Sequence, residues 1–331
     1  HDRHQPLGNC GGQPGDQASA GHLTMAVVTS NLQPRTQQLA ADLTGISGRR
    51  RTKNRVMTVL MALCVIVVGA ALLLVLTTVF AKGWSIVSGQ FPAWFTKDIQ
   101  LAPRRPGPGM KAAIIGTAVI TAMATLIAVP LGILGAVYLN EYGRTRLFAR
   151  IMRFFANVMA GVPSIVMGLF IYVFWVVPRG INGLNGFSGA LALACLMLPI
   201  VVRSSEEMLR LVPQNLRDAS YALGGSTSRT TVRVVLPTAA PGIISGCLLA
   251  VARAAGETAP LIFTIGAAKR TNWNVLSGTN TSLSMQIYGN AKESFVTAQE
   301  RAWGAALTLI TLAMLFTLMA RMLSARIART R

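Results

Sequence analysis

Charge is what this chain has least of. Only 13% of its 331 residues are Asp, Glu, Lys or Arg, against roughly 25% in an ordinary soluble domain, while 52% are hydrophobic. That balance excludes a water-soluble fold of this length and calls for membrane-spanning segments. Acidic residues are scarcest, with 11 Asp and Glu against 31 Lys and Arg and a net charge of +20. On a soluble protein the excess would point to nucleic acid. On a membrane protein it points to basic loops against the anionic surface of a lipid bilayer, so no nucleic-acid partner is expected. Histidine occurs only at His1, His4 and His22, which leaves no imidazole for a site inside a span. The four cysteines, Cys10, Cys64, Cys195 and Cys247, form no CxxC, and three lie in apolar runs. They read as small buried hydrophobes, not as metal ligands or a disulfide framework. No GxxxxGK[ST] occurs, so the chain has no P-loop to cradle ATP. Neither metal nor cofactor is expected. With no nucleophile, metal cluster or histidine partner in a span, a membrane-embedded enzyme lacks its parts.

What is present is a series of apolar runs, at 56–81, 112–139, 154–178, 187–202, 238–265 and 302–320. The first carries no charge and is long enough to cross a ~30 Å hydrocarbon core. It is too long for a signal peptide and has no small-residue exit. The expected fold is therefore an all-α integral membrane protein with six transmembrane helices. Residues 1–54 are rich in Gly, Gln, Ser, Thr and Pro and are expected to be disordered, with Met25 a candidate start of the chain. Trp84 and Trp94, in the polar stretch 82–111, suit an interfacial belt. Gly180, Gly183, Gly186 and Gly189 make a compact turn, and Pro130, Pro163, Pro199 and Pro241 supply bends.

Six spans put both termini on one side. That side also receives Arg144, Arg146, Arg150 and Arg153 of the second connection and Arg203, Arg210, Arg217, Arg229 and Arg233 of the fourth. It also takes the basic runs at 49–55 and 321–331. The positive-inside bias places this side, and both termini, in the cytoplasm. Residues 55–325 then form the six-span transmembrane domain, and 321–331 a basic cytoplasmic tail.

The fourth connection, 203–237, is the longest charged, helix-capable insertion among these runs. Pro213 suits a first helical turn and Gly224-Gly225 a left-handed stop. Between them Leu216, Ala219, Ala222 and Leu223 fall on one stripe. A helix of about ten residues is marginal alone in water, so it must dock on something. From Asp218 the chain reads Asp-Ala-Ser, then Gly224 and later Val234-x-Leu236-Pro237. This is similar to the EAA loop of ABC importer permeases, with Asp218 for Glu, Ser220 for the second Ala and Val234 for Ile. The resemblance implies that Arg217, Asp218, Ala219, Ser220, Tyr221, Leu223 and Gly224 form the coupling helix that meets an ATPase subunit.

The fifth run carries Arg253 and Glu257, four residues apart and so on one face of a continuous helix. Each charge near mid-bilayer costs about 2.5–3.5 kcal/mol on insertion scales. Beside them Gly242, Gly246, Ala250 and Ala254 form a small-residue stripe that admits another helix closely. From the residues alone two readings stand. The pair either fixes helix packing or lines a passage, with Arg253 offering a planar fork to an oxyanion and Glu257 holding it when no substrate is bound. Arg203 with Glu206 and Glu207 reads as a solvated ion cluster near the inner interface.

The words Arg253, Gly256-Glu257-Thr258-Ala259-Pro260-Leu261, with Leu198-Pro199 through Arg203, Glu206-Glu207 through Pro213, and Gly161-Val162-Pro163-Ser164, resemble phosphate-specific ABC transporter permeases of the PstA type, over about residues 55 to 325. The turn Gly225-Ser226-Thr227-Ser228 departs from the bulkier basic turn common there. The resemblance implies a type I ABC importer (MetI-like) core with residues 55–325 as the permease domain, import of inorganic phosphate across a bacterial plasma membrane, and Arg253, Glu257 and Thr258 on the substrate pathway. It also implies as partners a homologous PstC-type permease, a PstB-type ATPase dimer that binds the ATP, and a PstS-type phosphate-binding protein. A permease for sulfate or molybdate would share the fold and loop, and a membrane scaffold or sensor is a further alternative.

Overall fold

In lipid every backbone N–H and C=O must be satisfied within the segment that carries it, so long apolar runs fold as helices. A computed structural model describes residues 48–329 except 101, 103, 106, 144 and 145, and contains no strand among them. Of residues 1–54, expected to be disordered, 48–54 are helical and begin the first long helix; the rest of that stretch, with the three histidines, Cys10 and Met25, lies outside the described residues. Six helical segments are long and apolar enough to cross a membrane: Thr52–Gly89, Lys111–Tyr142, Ser164–Gly183, Gly186–Arg210, Thr227–Gly256 and Val296–Met319.

The chain divides into two compact units, His1–Leu74 and Val75–Arg331. The described part of the first is the beginning of α1 (Gly48–Gly89), a helix that is basic up to Arg55 and apolar all round from Val56 to Ala81. Its Val59, Leu63, Val67 and Leu74 are exposed, as befits a helix whose solvent is lipid.

The second unit holds the end of α1 and nine further helices, leaving aside single turns. These are α2 (Lys111–Val137), α3 (Leu147–Gly161), α4 (Ser164–Ile171), α5 (Gly186–Arg210), α6 (Gln214–Ala222), α7 (Leu236–Gly256), α8 (Ala259–Thr264), α9 (Leu283–Lys292) and α10 (Val296–Arg329). π-Helical turns extend α2 to Tyr142, α4 to Val176 and lead into α7 from Thr231. The core is built on α5, against which α2 and α7 pack, and much of it is alanine: Ala124, Ala128, Ala136, Ala190, Ala194, Ala250 and Ala254. Small residues let backbones approach where lipid offers no hydrophobic push. The stripe behaves so: Gly242 faces Met208 and Gly246 faces Ser204, both on α5. A second cluster around Trp94, Met110, Leu283 and Ala305 closes a different part of the unit.

Four expectations need correction. Trp94 is fully buried and its indole N–H donates to Thr308 Oγ1 at 3.0 Å, so only Trp84, 57% exposed, fits an interfacial belt. The third run splits at Val162–Pro163. Its first part belongs to the separate amphipathic helix α3, which also takes in Arg150 and Arg153, because Pro163 disfavours helical backbone at the residue before it and Val162 is extended. Of the four turn glycines only Gly180, at φ 58°, and Gly183 lie in the turn. Gly186 and Gly189 are inside α5. The fifth run breaks after Gly256.

Candidate functional site

The break in the fifth run creates the site. Pro260 has no N–H to give the Gly256 carbonyl, and glycine is a poor helix former, so α7 ends there. Glu257 takes an extended backbone (φ −69°, ψ 134°) and Thr258 starts α8. The bend is held from two sides. The Ser284 hydroxyl of α9 donates to the Glu257 carbonyl at 2.8 Å. On the other side α4 reaches α8 so closely that a Cβ on Gly168 would collide with the Pro260 backbone. Glu257 is therefore not part of a continuous helical face with Arg253, as the spacing predicts. It hangs just beyond the end of the helix, and its carboxylate turns back to Arg253, with Oε1 3.6 Å from Nε.

The Arg253 side chain is 70% exposed and that of Glu257 20%. Both open on a cavity of about 460 Å³ walled by Met159 and Ala160 of α3, the Val162–Ser164 connection, and Leu196, Pro199, Ile200, Arg203, Ser204 and Glu207 of α5. Two kinks thus meet there: Pro163 between α3 and α4, and Pro199, which cannot donate to the Cys195 carbonyl. Arg203 and Glu207 form a second i,i+4 pair on this wall, Nε to Oε1 3.5 Å. Arg203, Glu206 and Glu207 are expected from the sequence as one solvated cluster. The structure separates them, since Glu206 is buried on another face. There its Oε1 accepts from Arg153 Nε at 2.8 Å and Arg210 Nη2 at 2.6 Å. Helical phase alone does not show this, because residues three and four along are both neighbours of Arg203 on the helix surface; it is Arg153 and Arg210 that draw Glu206 to the other side. Thr258 sits in the break but off the cavity wall.

A larger cleft of about 570 Å³, lined by Trp84, Phe91, Phe95, Leu307 and Leu312 among others, has no charged group to meet an anion. The cavity at Arg253 has two guanidinium groups, each loosely held by one carboxylate. Such an arrangement can exchange an internal counter-ion for an incoming oxyanion without leaving a cation unpaired.

The predicted stripe of α6 is also realised. Leu216 is 41% and Leu223 90% exposed, with Tyr221 at 40%, and a groove of about 350 Å³ runs beside it, lined by Ala219, Ser220, Gly225, Arg229 and Arg233 among others. Pro213 caps the helix rather than entering its first turn. Gly224 takes φ 78°, the left-handed stop expected of it. Asp218 is exposed and accepts from Gln214. Arg217 behaves differently: it is buried and points into the protein. The stretch 203–210, read as the start of the loop, is helical and continuous with α5.

Comparison with known proteins gives a consistent picture. Residues 128–329 match the family model described as "Binding-protein-dependent transport system inner membrane component". The chain is 43% identical over 276 residues to the phosphate transport system permease protein PstA 1 of Mycobacterium tuberculosis (strain CDC 1551 / Oshkosh), covering 83% of this chain and 90% of that one. It is 43% identical over 274 residues to PstA of Mycobacterium leprae (82% and 89%) and 37% identical over 278 residues to PstA of Yersinia pestis (84% and 92%). Among solved structures, a chain of the MetNI methionine ABC transporter in inward-facing conformations superimposes with a TM-score of 0.51 at 19% identity, over 64% of this chain and 91% of that one. At that identity the likeness concerns the fold alone.

Proposed function

Since the chain belongs to the family of binding-protein-dependent transport system inner membrane components, we propose that it is a permease subunit of an ATP-driven importer of inorganic phosphate. The observation that carries this reading is the cavity at the broken fifth span, where Arg253 faces open space with Glu257 loosely paired to it. Relatives called phosphate transport system permeases support the same substrate. The fork of Arg253 receives the phosphate oxygens. Glu257 keeps the guanidinium in place in the empty state and competes with the anion, so that bound phosphate can leave.

The rest of the machine is supplied by partners. A homologous PstC-type permease completes the passage, and a PstS-type binding protein delivers phosphate from outside. A PstB-type ATPase dimer binds and hydrolyses ATP, the chain itself having no P-loop. The exposed apolar stripe of α6 is the surface that docks on the ATPase. Burying Leu216 and Leu223 there satisfies side chains that water would leave unfavourably exposed. The basic residues flanking α6 favour the cytoplasmic side for this end of the protein, with both termini beside it in a bacterial plasma membrane.

ATP-dependent uptake of labelled phosphate into vesicles holding the assembled complex, with sulfate as competitor, tests the reading. Phosphate-selective uptake is expected. Uptake of sulfate in its place would overturn the substrate while leaving the permease, and absence of any bound ATPase would return the chain to a scaffold or sensor.

A further inference from the structure

Arg217 occupies the position before Asp218 in the coupling helix, yet it does not face outward. Its side chain is 5% exposed. Nη1 donates to the Val212 carbonyl at 2.6 Å, and Nη2 to the Leu209 carbonyl at 2.9 Å and to Glu141 Oε1 at 3.0 Å. Leu209 lies in the last turn of α5, where a helix leaves carbonyls free to accept from side chains, and Val212 in the link between α5 and α6. Glu141 belongs to the π-helical turn that ends the second span. Its carboxylate is itself 6% exposed and is oriented by Asn140 Nδ2, which donates to the same oxygen at 2.7 Å.

We infer that the Arg217–Glu141 pair is a strut that transmits displacement of α6 directly to the second span, making Arg217 and Glu141 positioning residues for coupled transport. The inference rests on the reading of α6 as the ATPase-docking helix. The chain offers α6 a second attachment, the Ser220–Thr230 hydroxyl contact at 2.8 Å, which leads toward α7. Without the strut, motion of α6 would reach α7 and the end of α5 but have no charged link to α2. Four features fit a transmitting part. The guanidinium engages three acceptors at once, on α5, the α5–α6 link and the second span, in a planar geometry that lysine cannot copy. Both side chains are shielded from solvent, so salt does not loosen them as it does a surface pair. A buried pair adds little to stability but leaves an unpaired charge when broken, which favours moving together over separating. Beside it, Arg153 of α3 donates to Glu206 of α5 at 2.8 Å and to the Leu139 carbonyl of α2 at 2.7 Å, so α2, α3 and α5 share one polar node at this end.

The test is made on the assembled complex in proteoliposomes, with Glu141→Ala and Glu141→Gln, which leave the carbonyl contacts of Arg217 in place. Phosphate carried per ATP hydrolysed is expected to fall about fivefold in Glu141→Ala, the lower end of a typical coupling between sites, with the ATPase still bound. Glu141→Gln, which keeps an acceptor oxygen, is expected to fall less. A second readout does not depend on the substrate. Spin labels at Asn215→Cys on α6 and Tyr142→Cys at the end of the second span, with Cys10, Cys64, Cys195 and Cys247 replaced by serine, report the distance between the two elements. One narrow distance through the ATP cycle, broadened by Glu141→Ala, supports the strut. An unchanged ratio and distance in Glu141→Ala would overturn it, as would a loss of transport that only tracks loss of bound ATPase. If the wild-type complex hydrolyses ATP but carries no phosphate, the substrate reading fails by itself and the distance measurement still decides the strut.

Discussion

Arg203 on α5 and Arg253 at the end of α7 line one cavity, and each is held by a glutamate four residues further along its own chain, at 3.5 Å and 3.6 Å. The two pairs differ in what surrounds the carboxylate. Glu207 is 60% exposed, whereas Glu257 is 20% exposed. The two arginine side chains are equally open, at 68% and 70%, so what sets the second pair apart is its sheltered carboxylate and its place at a break in the membrane-spanning helix.

Arg253→Gln is expected to lower kcat/KM for phosphate uptake roughly 10- to 100-fold, the loss of one charge-assisted contact worth about 1.5–3 kcal/mol. Arg253→Lys keeps the charge but not the fork and should recover only part. Arg203→Gln, which removes the arginine of the pair that lies within an unbroken helix and whose carboxylate is the more solvated, should raise KM a few-fold, about 1 kcal/mol, with kcat retained. Initial rates over a range of phosphate concentrations separate the three; equal losses at 203 and 253 would contradict the ranking.

Glu257→Gln removes the internal competitor of the substrate. Apparent KM and kcat should fall together, by roughly 3- to 10-fold each, as expected when a mutation tightens ground-state binding. A raised KM at unchanged kcat would instead make Glu257 a binding group.

Leu223→Ser removes an apolar side chain that is 90% exposed in the chain alone. The isolated permease should melt as wild type, while affinity for the ATPase falls roughly tenfold or more, in line with about 1.5–3 kcal/mol for a buried leucine. Co-purification under dilution reads this directly.

Gly168→Ala places a methyl against the Pro260 backbone. A small-to-large change in a packed contact costs about 1–3 kcal/mol, so the melting midpoint in detergent should fall. Gly161→Ala, with nothing near the added methyl, serves as the control and should leave the midpoint unchanged or slightly raised.

Much of this architecture is legible in the residues because it is written locally. The six apolar runs, the stop at Gly224 and the stripe of α6 each follow from composition or period within a short window. The break at Glu257 is harder to read. A proline three residues beyond a glutamate is compatible with a kinked continuous helix, and the deciding contacts come from Gly168 and Ser284, far along the chain. Trp94 misleads for the same reason: an indole beside polar residues reads as interfacial until Thr308, 214 positions away, accepts a hydrogen bond from its N–H. The inward turn of Arg217 is set by Glu141, 76 positions earlier, so no local pattern announces it. The spacing of Arg203 with Glu206 and Glu207 allows either pairing, and the choice of Glu207 follows from Arg153, 53 positions before Glu206, which engages that carboxylate.

The hydroxyl of Ser284 also has a consequence for the bend it holds. A carbonyl released by a broken helix in lipid must find a donor, and here the donor for Glu257 is a single side chain on α9 rather than the backbone. The stiffness of the bend is therefore adjustable by substitution at one position outside the span. Alanine there would slacken the joint, leaving the spans themselves, the cavity wall and both arginines unaltered in sequence.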